Sequence, residues 1–446
     1  IKCRSTDILT DRLVGTTTRE GHRTVTAAGP QTELRHVVLG VVLFLLPFEV
    51  NRALIEYPGQ AGGFSRFVSI GLFDVALLVF VVLAFLSLGS LRSRAIGWGA
   101  WLAIGLLAAT VVSLPFHGSW RGVALALRLV AAVMIALEIG TLHRGDVMRF
   151  VVAPLVVAGA VQGVLALGQA VAGGPLGIPG EPSEFEVVAD TVRPAGTASH
   201  PYLLATYCLI AVSAGLLVWT RTISRWWLVP LALAAVPIGL SFSRAAVVSV
   251  LFAGVGWVIA VLRKPRLYGP PLAAVMLGIV APALLFVPAW LERLEDSTTG
   301  SFNDATANRV ELTNQAIDMI ADYPLVGVGP WRYTIVAEAD YPLATGDDSP
   351  VHSLPFLVTT EFGVLIGFAF LVALVALGAR AARTGPLTFA LFGAVMGFTL
   401  FDVVLYWYPA GLVLLGVWLG LLDRSARHPP ATGAGITTDA NESAAS

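Results

Sequence analysis

The chain has 446 residues, of which 56% are hydrophobic and only 13% charged. Ordinary soluble domains carry about 45–50% and about 25%, so a soluble chain of this size would lack the polar residues to coat its domains. The formal net charge of −1 leaves no basic face to release counterions from a nucleic acid, which excludes that class of partner.

Residues 1–34 are polar, hold no apolar core of the signal-peptide kind, and are expected to form a disordered cytoplasmic tail. From there the chain reads as an all-α integral membrane protein. Apolar runs fall near 36–48, 70–88, 95–114, 122–140, 147–172, 201–219, 226–241, 244–262, 270–290, 353–379, 386–402 and 404–422. Each is taken as a helix, because a membrane-buried segment must satisfy its own backbone hydrogen bonds. The expectation is about 12 transmembrane helices of about 20 residues each, the last two so close that they form either two spans or one broken hairpin. Helices 1–9 then occupy 35–290, with a small outer loop at 173–200. A large outer loop containing short helices covers 291–352, helices 10–12 cover 353–424, and 425–446 form a second disordered tail. Cys3 lies in the first tail and Cys208 inside an apolar run, so neither a disulfide nor a thiolate metal site is expected.

Lysine and arginine set the orientation. With the N-terminus inside, the inner segments carry 19 of these cations, in pairs and triplets such as Arg144 and Arg149 or Arg263, Lys264 and Arg266. The outer segments carry 8, and Arg128 lies within a span. Both termini are therefore expected in the cytoplasm and any chemistry on the outer side, in the cell membrane.

The outer segments hold several candidates. Asp304 or Thr306 can cap a helix that Pro324 ends, with Leu312, Ala316, Ile317, Met319 and Ile320 on one stripe. Arg309 points along that stripe, where it either meets an anion, pairs with a loop carboxylate or reaches back to water. Arg121 and Arg128, seven apart, share a helix face, Arg244 sits in a short outer turn, and Arg193 sits in the smaller loop. Arginine binds phosphate oxygens bidentately and keeps its charge when partly buried. Five such residues fit a lipid-linked phosphate or diphosphate, or else anionic headgroups. His352 stands where the large loop re-enters the membrane, placed to accept a proton near neutral pH or simply structural. Glu361, about two and a half turns deeper in a regular helix, is an ionisable group in a span and a candidate by default. His200 is the nearest rival to His352, and His117 lies in a short loop without a motif. Gly327-Val328-Gly329-Pro330 reads as a tight turn rather than a phosphate loop, and Asp347-Asp348 as a solvated loop tip. No metal site and no cofactor are expected.

Several blocks together resemble the O-antigen ligase and polymerase family. One is Asn308-Arg309-Val310 followed by Ala316 to Pro330 (AIDMIADYPLVGVGP); another is His352 with Leu354, Phe356-Leu357 and Glu361 to Gly367 (EFGVLIG). Ser243-Arg244-Ala245 and Arg193-Pro194-Ala195-Gly196-Thr197 resemble two more, and Ser353 stands where the family commonly has Asn. The resemblance covers about residues 190–370. It implies a GT-C-like membrane glycosyltransferase that needs neither metal nor ATP. In such proteins a glycan on undecaprenyl diphosphate passes, with inversion, to an acceptor hydroxyl on the periplasmic face. It implies His352 as base, Arg193, Arg244 and Arg309 with Arg121 and Arg128 around the diphosphate, and Glu361 or His200 in support. The acceptor is lipid A-core in ligases and a second lipid-linked repeat in polymerases. A secondary transporter is the alternative from another class, although no repeat between halves is evident.

Overall fold

The computed structural model describes residues 30–48, 51–56, 67–87, 96–182, 185, 187–188, 191–220, 222–295, 304–343 and 349–428. Most of both expected tails, and the Asp347-Asp348 pair, lie outside these residues. Helix α1 (Pro30–Leu45) is followed by an antiparallel hairpin of β1 (Asn51–Glu56) and β2 (Phe67–Gly71). Then come α2 (Leu72–Leu86), α3 (Trp98–His117), α4 (Trp120–Ile139) and α5 (Arg144–Ala172), which contains a π turn at Met148–Val152. The smaller loop pairs β3 (Val187–Val188) with β4 (Thr191–Val192) and leads into α6 (Pro201–Val218). Next are α7 (Leu228–Leu240), α8 (Arg244–Arg263), α9 (Pro265–Leu285) and α10 (Val287–Glu295). The large loop contributes α11 (Asp304–Asp322) and α12 (Tyr333–Asp340). The chain closes with α13 (Leu354–Phe362), α14 (Val364–Thr384), α15 (Pro386–Phe401), α16 (Val404–Trp407) and α17 (Pro409–Arg427).

Among the described residues, eight helices are long and apolar enough to cross a membrane: α3, α4, α5, α6, α8, α9, α14 and α17. Three more, α2, Arg225–Leu240 and α15, are apolar but shorter. The structure redraws several expected boundaries. The run read as one span at 353–379 is two helices, broken at Gly363. That residue has φ +85°, and a Cβ on it would lie 2.4 Å from the Leu325 carbonyl oxygen. Only glycine lets the Pro324-Leu325 turn press in there. Likewise 404–422 is interrupted at Tyr408, and Pro409 starts a new helix, because proline suits a first turn and not an interior. Helix α1 begins at Pro30 and α17 reaches Arg427, so each takes residues expected to be tail.

Helices α6 and α17 form the centre and are almost wholly buried. The outer helices expose Leu251, Leu262, Leu284, Leu365 and Val375, which water would reject and hydrocarbon accepts. Without a hydrophobic drive between helices in lipid, close approach must come from small residues. Helices α8 and α15 show this: a Cβ on Gly397 would stand 2.0 Å from the Ala245 carbonyl oxygen.

Side-chain bonds sort the helix ends. At the first end, Glu138 near the close of α4 accepts from Arg35 of α1 at 2.9 Å and lies 2.8 Å from His36 Nε2. Asp423 of α17 accepts from the Gly99 and Ala100 amides that open α3. Arg427 donates to the Gly140 carbonyl and Arg424 to that of Leu142. At the second end, His117 closing α3 meets the Gly327 carbonyl at 3.1 Å, and Trp290 donates to the Gly239 carbonyl. The described parts of both loops gather at this second end.

Candidate functional site

Arg193 is held by a loop that the bundle grips from below. Gln162 of α5 accepts from the Thr197 amide at 2.9 Å and donates to Thr197 Oγ1 and the Pro47 carbonyl. One helical level further, Gln169 accepts from the Gly196 amide and donates to its carbonyl. Both glutamines are fully buried, so their amides serve the loop backbone rather than water. Arg193 itself is 0% exposed. Its Nε and Nη2 donate to the Ser241 carbonyl at 3.0 and 2.7 Å, and the guanidinium lies 4.5 Å over the Tyr202 ring.

That carbonyl belongs to the turn that carries Arg244. The turn bends at Phe242, which is fully buried at φ +45° and edges against Trp290 at 5.4 Å. A non-glycine residue in this region costs about 1–3 kcal/mol and persists only where its surroundings hold it. Ser243 then caps α8 by accepting from the Ala246 amide at 3.2 Å. Arg244 is therefore the first residue of a capped helix, partly exposed at the second end.

Arg309 rides on α11. Leu312, Gln315, Ala316 and Met319 form its buried face, while Ile317, expected on that stripe, points outward. Gln315 donates to the Tyr341 carbonyl and accepts from the Tyr333 hydroxyl at 2.9 Å, fixing the helix against α12. Asp402 lies in the link after α15. Only 5% exposed, it accepts from the Val403 amide at 2.7 Å. Burial pushes its carboxyl up to about 6, opposed by that amide and by the guanidiniums of Arg309 and Arg193. A loop arginine and an α11 arginine thus act on one buried carboxylate.

The Gly327-to-Trp331 stretch is a clip, as the tight-turn reading expected. The amides of Val328 and Gly329 donate to the carbonyls of Thr360 and Glu361, and the Val364 amide donates to that of Pro324. The Glu361 side chain is fully buried. It accepts from the Tyr406 hydroxyl at 2.6 Å and from the Tyr333 amide at 3.5 Å. Trp331 Nε1 donates in turn to the Tyr406 carbonyl at 3.3 Å. Glu361 therefore ties the large loop to the α16 turn, and its oxygens are already engaged rather than poised toward an acceptor.

His352 is partly exposed, two residues before α13, on the segment this clip steadies. His200 caps α6, its Nδ1 accepting from the Tyr202 amide at 3.2 Å, with its ring beside Tyr202 and Tyr408. That is a structural duty, and it accounts for a histidine placed before Pro201. His117 is likewise bound into the turn contacts. Arg128 pairs with Asp74 of α2 at 2.9 Å, and Asp74 also caps the Gly71 amide. Arg121 opens α4 at the second end, where Ser119 accepts from its amide. Arg193 is thus tied to the Ser241 turn that leads into Arg244, and Arg193 and Arg309 both act on Asp402. It engages Arg128 elsewhere.

Asp402, Tyr406, Gln162 and Gln169 escaped the sequence reading. Polar residues inside apolar runs were the available signal, since each must find a partner when buried.

Residues 229–372 match the family model described as O-Antigen ligase. The matched stretch holds Arg244, Arg309, His352 and Glu361, whereas Arg193 and Asp402 fall outside it. No curated protein matches the chain. Over that stretch the chain is similar to the O-antigen ligase family.

Proposed function

We propose that this chain, as a member of the O-antigen ligase family, moves a glycan from a polyprenyl diphosphate, of the undecaprenyl type, to an acceptor hydroxyl at its second end. The observation that carries the reading is that Arg193 grips the Ser241 turn that leads into Arg244, while Arg193 and Arg309, from separate loops, both act electrostatically on the buried Asp402. Guanidiniums drawn from separate parts of the chain are what a diphosphate leaving group needs. The acceptor oxygen attacks the anomeric carbon as the bond from that carbon to the diphosphate oxygen breaks. The electron pair leaves with the diphosphate, whose charge the arginines balance. His352 takes the hydroxyl proton, and one in-line displacement inverts the anomeric carbon without metal or cofactor.

The second end faces outward in this reading. The first end carries Arg35, Arg144, Arg149, Arg225, Arg263, Lys264, Arg266, Arg380, Arg383, Arg424 and Arg427, the cation excess of a cytoplasmic face. Together with α1 and the three shorter apolar helices, the eight spans allow the 12 passes expected from hydropathy. The arginines and His352 lie at a bundle end, whereas transporters hold their substrates near the midplane.

The test is a transfer assay in purified membranes, offering an undecaprenyl-diphosphate-linked glycan with either lipid A-core or a second lipid-linked repeat. Transfer to lipid A-core identifies a ligase, and chain extension a polymerase. No transfer to either acceptor, with the donor demonstrably bound, sinks the proposal.

A further inference from the structure

At the first end, remote from the arginine site, an apolar groove of about 440 Å³ runs between α1 and the first half of α5. Val37, Val41 and Phe44 form one wall, and Phe150, Pro154 and Val157 the other. Its floor is Gly40, where a Cβ would lie 3.3 Å from the Phe150 carbonyl oxygen and 3.5 Å from Pro154 Cγ. Val37, Val41 and Val157 remain about two-fifths exposed, so the groove opens on the lipid-facing surface and not into the bundle. The π turn at Met148–Val152 lies on the α5 wall, and such turns recur at functional sites.

Arg149 also lines the groove. Its guanidinium lies 4.8 Å over the Phe150 ring. The nearest carboxylate is Glu33 at 3.8 Å, and both side chains are mostly exposed, at 69% and 59%. An exposed pair at that distance is worth little, so the guanidinium stays available to a stronger anion. Arg35 is 1% exposed and shares the single oxygen Glu138 Oε1 with His36, whose ring packs on Phe150 at 5.6 Å. Arg35 Nε and Nη1 have no hydrogen-bond partner among the described residues.

We propose that this groove is a binding site for one anionic phospholipid, with an acyl chain between α1 and α5 and the phosphate on Arg149. The occupant follows from the chemistry of the slot. Its apolar walls face hydrocarbon, and its cation sits at the end of the bundle where the other cations gather. Basic pockets between helices on the cytoplasmic side bind acidic headgroups for this reason, and arginine meets phosphate bidentately. Glu33 is the counterion that the phosphate displaces.

The experiment purifies the full chain from bilayers containing equal parts of phosphatidylglycerol and phosphatidylcholine. Retained lipids are then counted by native mass spectrometry. One phosphatidylglycerol per chain is expected to persist through mild detergent washing. Arg149→Gln should cut the preference for phosphatidylglycerol about fivefold, the factor given by about 1 kcal/mol per cation near an anionic surface. Glu33→Gln should raise it. Val41→Trp and Val157→Trp fill the groove from exposed walls without touching the core, and each should abolish retention. Equal retention of both lipids by the parent chain overturns the proposal, as does undiminished retention in both Trp variants. A lipid-free dimer that the Trp variants disrupt would also overturn it and make the groove a contact between copies.

Discussion

Tyr406→Phe tests whether Glu361 clips the large loop to the bundle. The substitution deletes one hydroxyl and leaves the ring, so packing is preserved. What is lost is a 2.6 Å donor to a fully buried carboxylate. Leaving a buried acceptor without its donor costs about 1–3 kcal/mol. At about 1.4 kcal/mol per decade, local opening should become roughly 5- to 140-fold more frequent. Hydrogen exchange reads this directly, because the clip has its own reporters in the amides of Val328, Gly329 and Val364. Their protection should fall by that factor, while the amides of central α6 stay as in the parent. Donor affinity should drop in parallel, since the clip steadies the segments that carry Arg309 and His352. Unchanged exchange at all three amides would refute the reasoning and leave Glu361 without its structural role.

Arg309→Lys and Arg244→Lys should each lose most transfer while the protein stays folded, because a point charge does not replace a planar fork. Full activity of both would remove them from the site. His352→Ala should lower single-turnover transfer by about 10²–10⁴ yet leave donor binding intact. Transfer within a few-fold of the parent would make His352 a positioning group. Donor binding should tighten as pH falls through about 6, because protonation removes the Asp402 charge that competes for Arg309 and Arg193. Asp402→Asn should flatten that profile, and an unaltered profile in the variant would assign the titration elsewhere. Gln162→Leu leaves the Thr197 amide buried without its acceptor, at about 1–3 kcal/mol. A thermal melt in detergent and a donor-binding isotherm should both weaken, and no change in either would detach the Arg193 loop from α5.

The helical class and the cation asymmetry were legible because both rest on bulk properties, which apolar length and charge placement report without geometry. The breaks were not. Leu354 to Leu377 reads as one apolar run, and nothing in hydropathy marks Gly363 as the point where another turn presses in. The arginines stood out by their rarity, but their partners did not. Asp402 sits between Phe401 and Val403 and looks like the frayed end of a span, and Arg128 shows no sign of Asp74 more than fifty residues earlier. Ile317 fits the α11 stripe by period yet faces outward, since Gln315 takes the buried position through its bonds to Tyr333 and Tyr341. Pairing across the bundle is tertiary information, and one-dimensional periodicity does not contain it.

Asp402 also bears on why such a site is built as it is. A buried guanidinium such as Arg193 loses the water that would screen its charge. A carboxylate resolves this, but it also opposes an incoming diphosphate. Burial settles the competition, because it raises the Asp402 carboxyl toward the pH at which it gives up its charge. In the proposed reading Asp402 offsets part of the arginine charge while the site is empty and opposes the donor less once it is protonated. Rigid support is the other half of the arrangement. Arg193 holds the Ser241 carbonyl from a loop bolted to α5, so the turn that leads into Arg244 is fixed by buried bonds. In this reading the helices below are not merely a membrane anchor. They are the frame that keeps separate arginines at one spacing, to which the charge developing on the leaving group is matched.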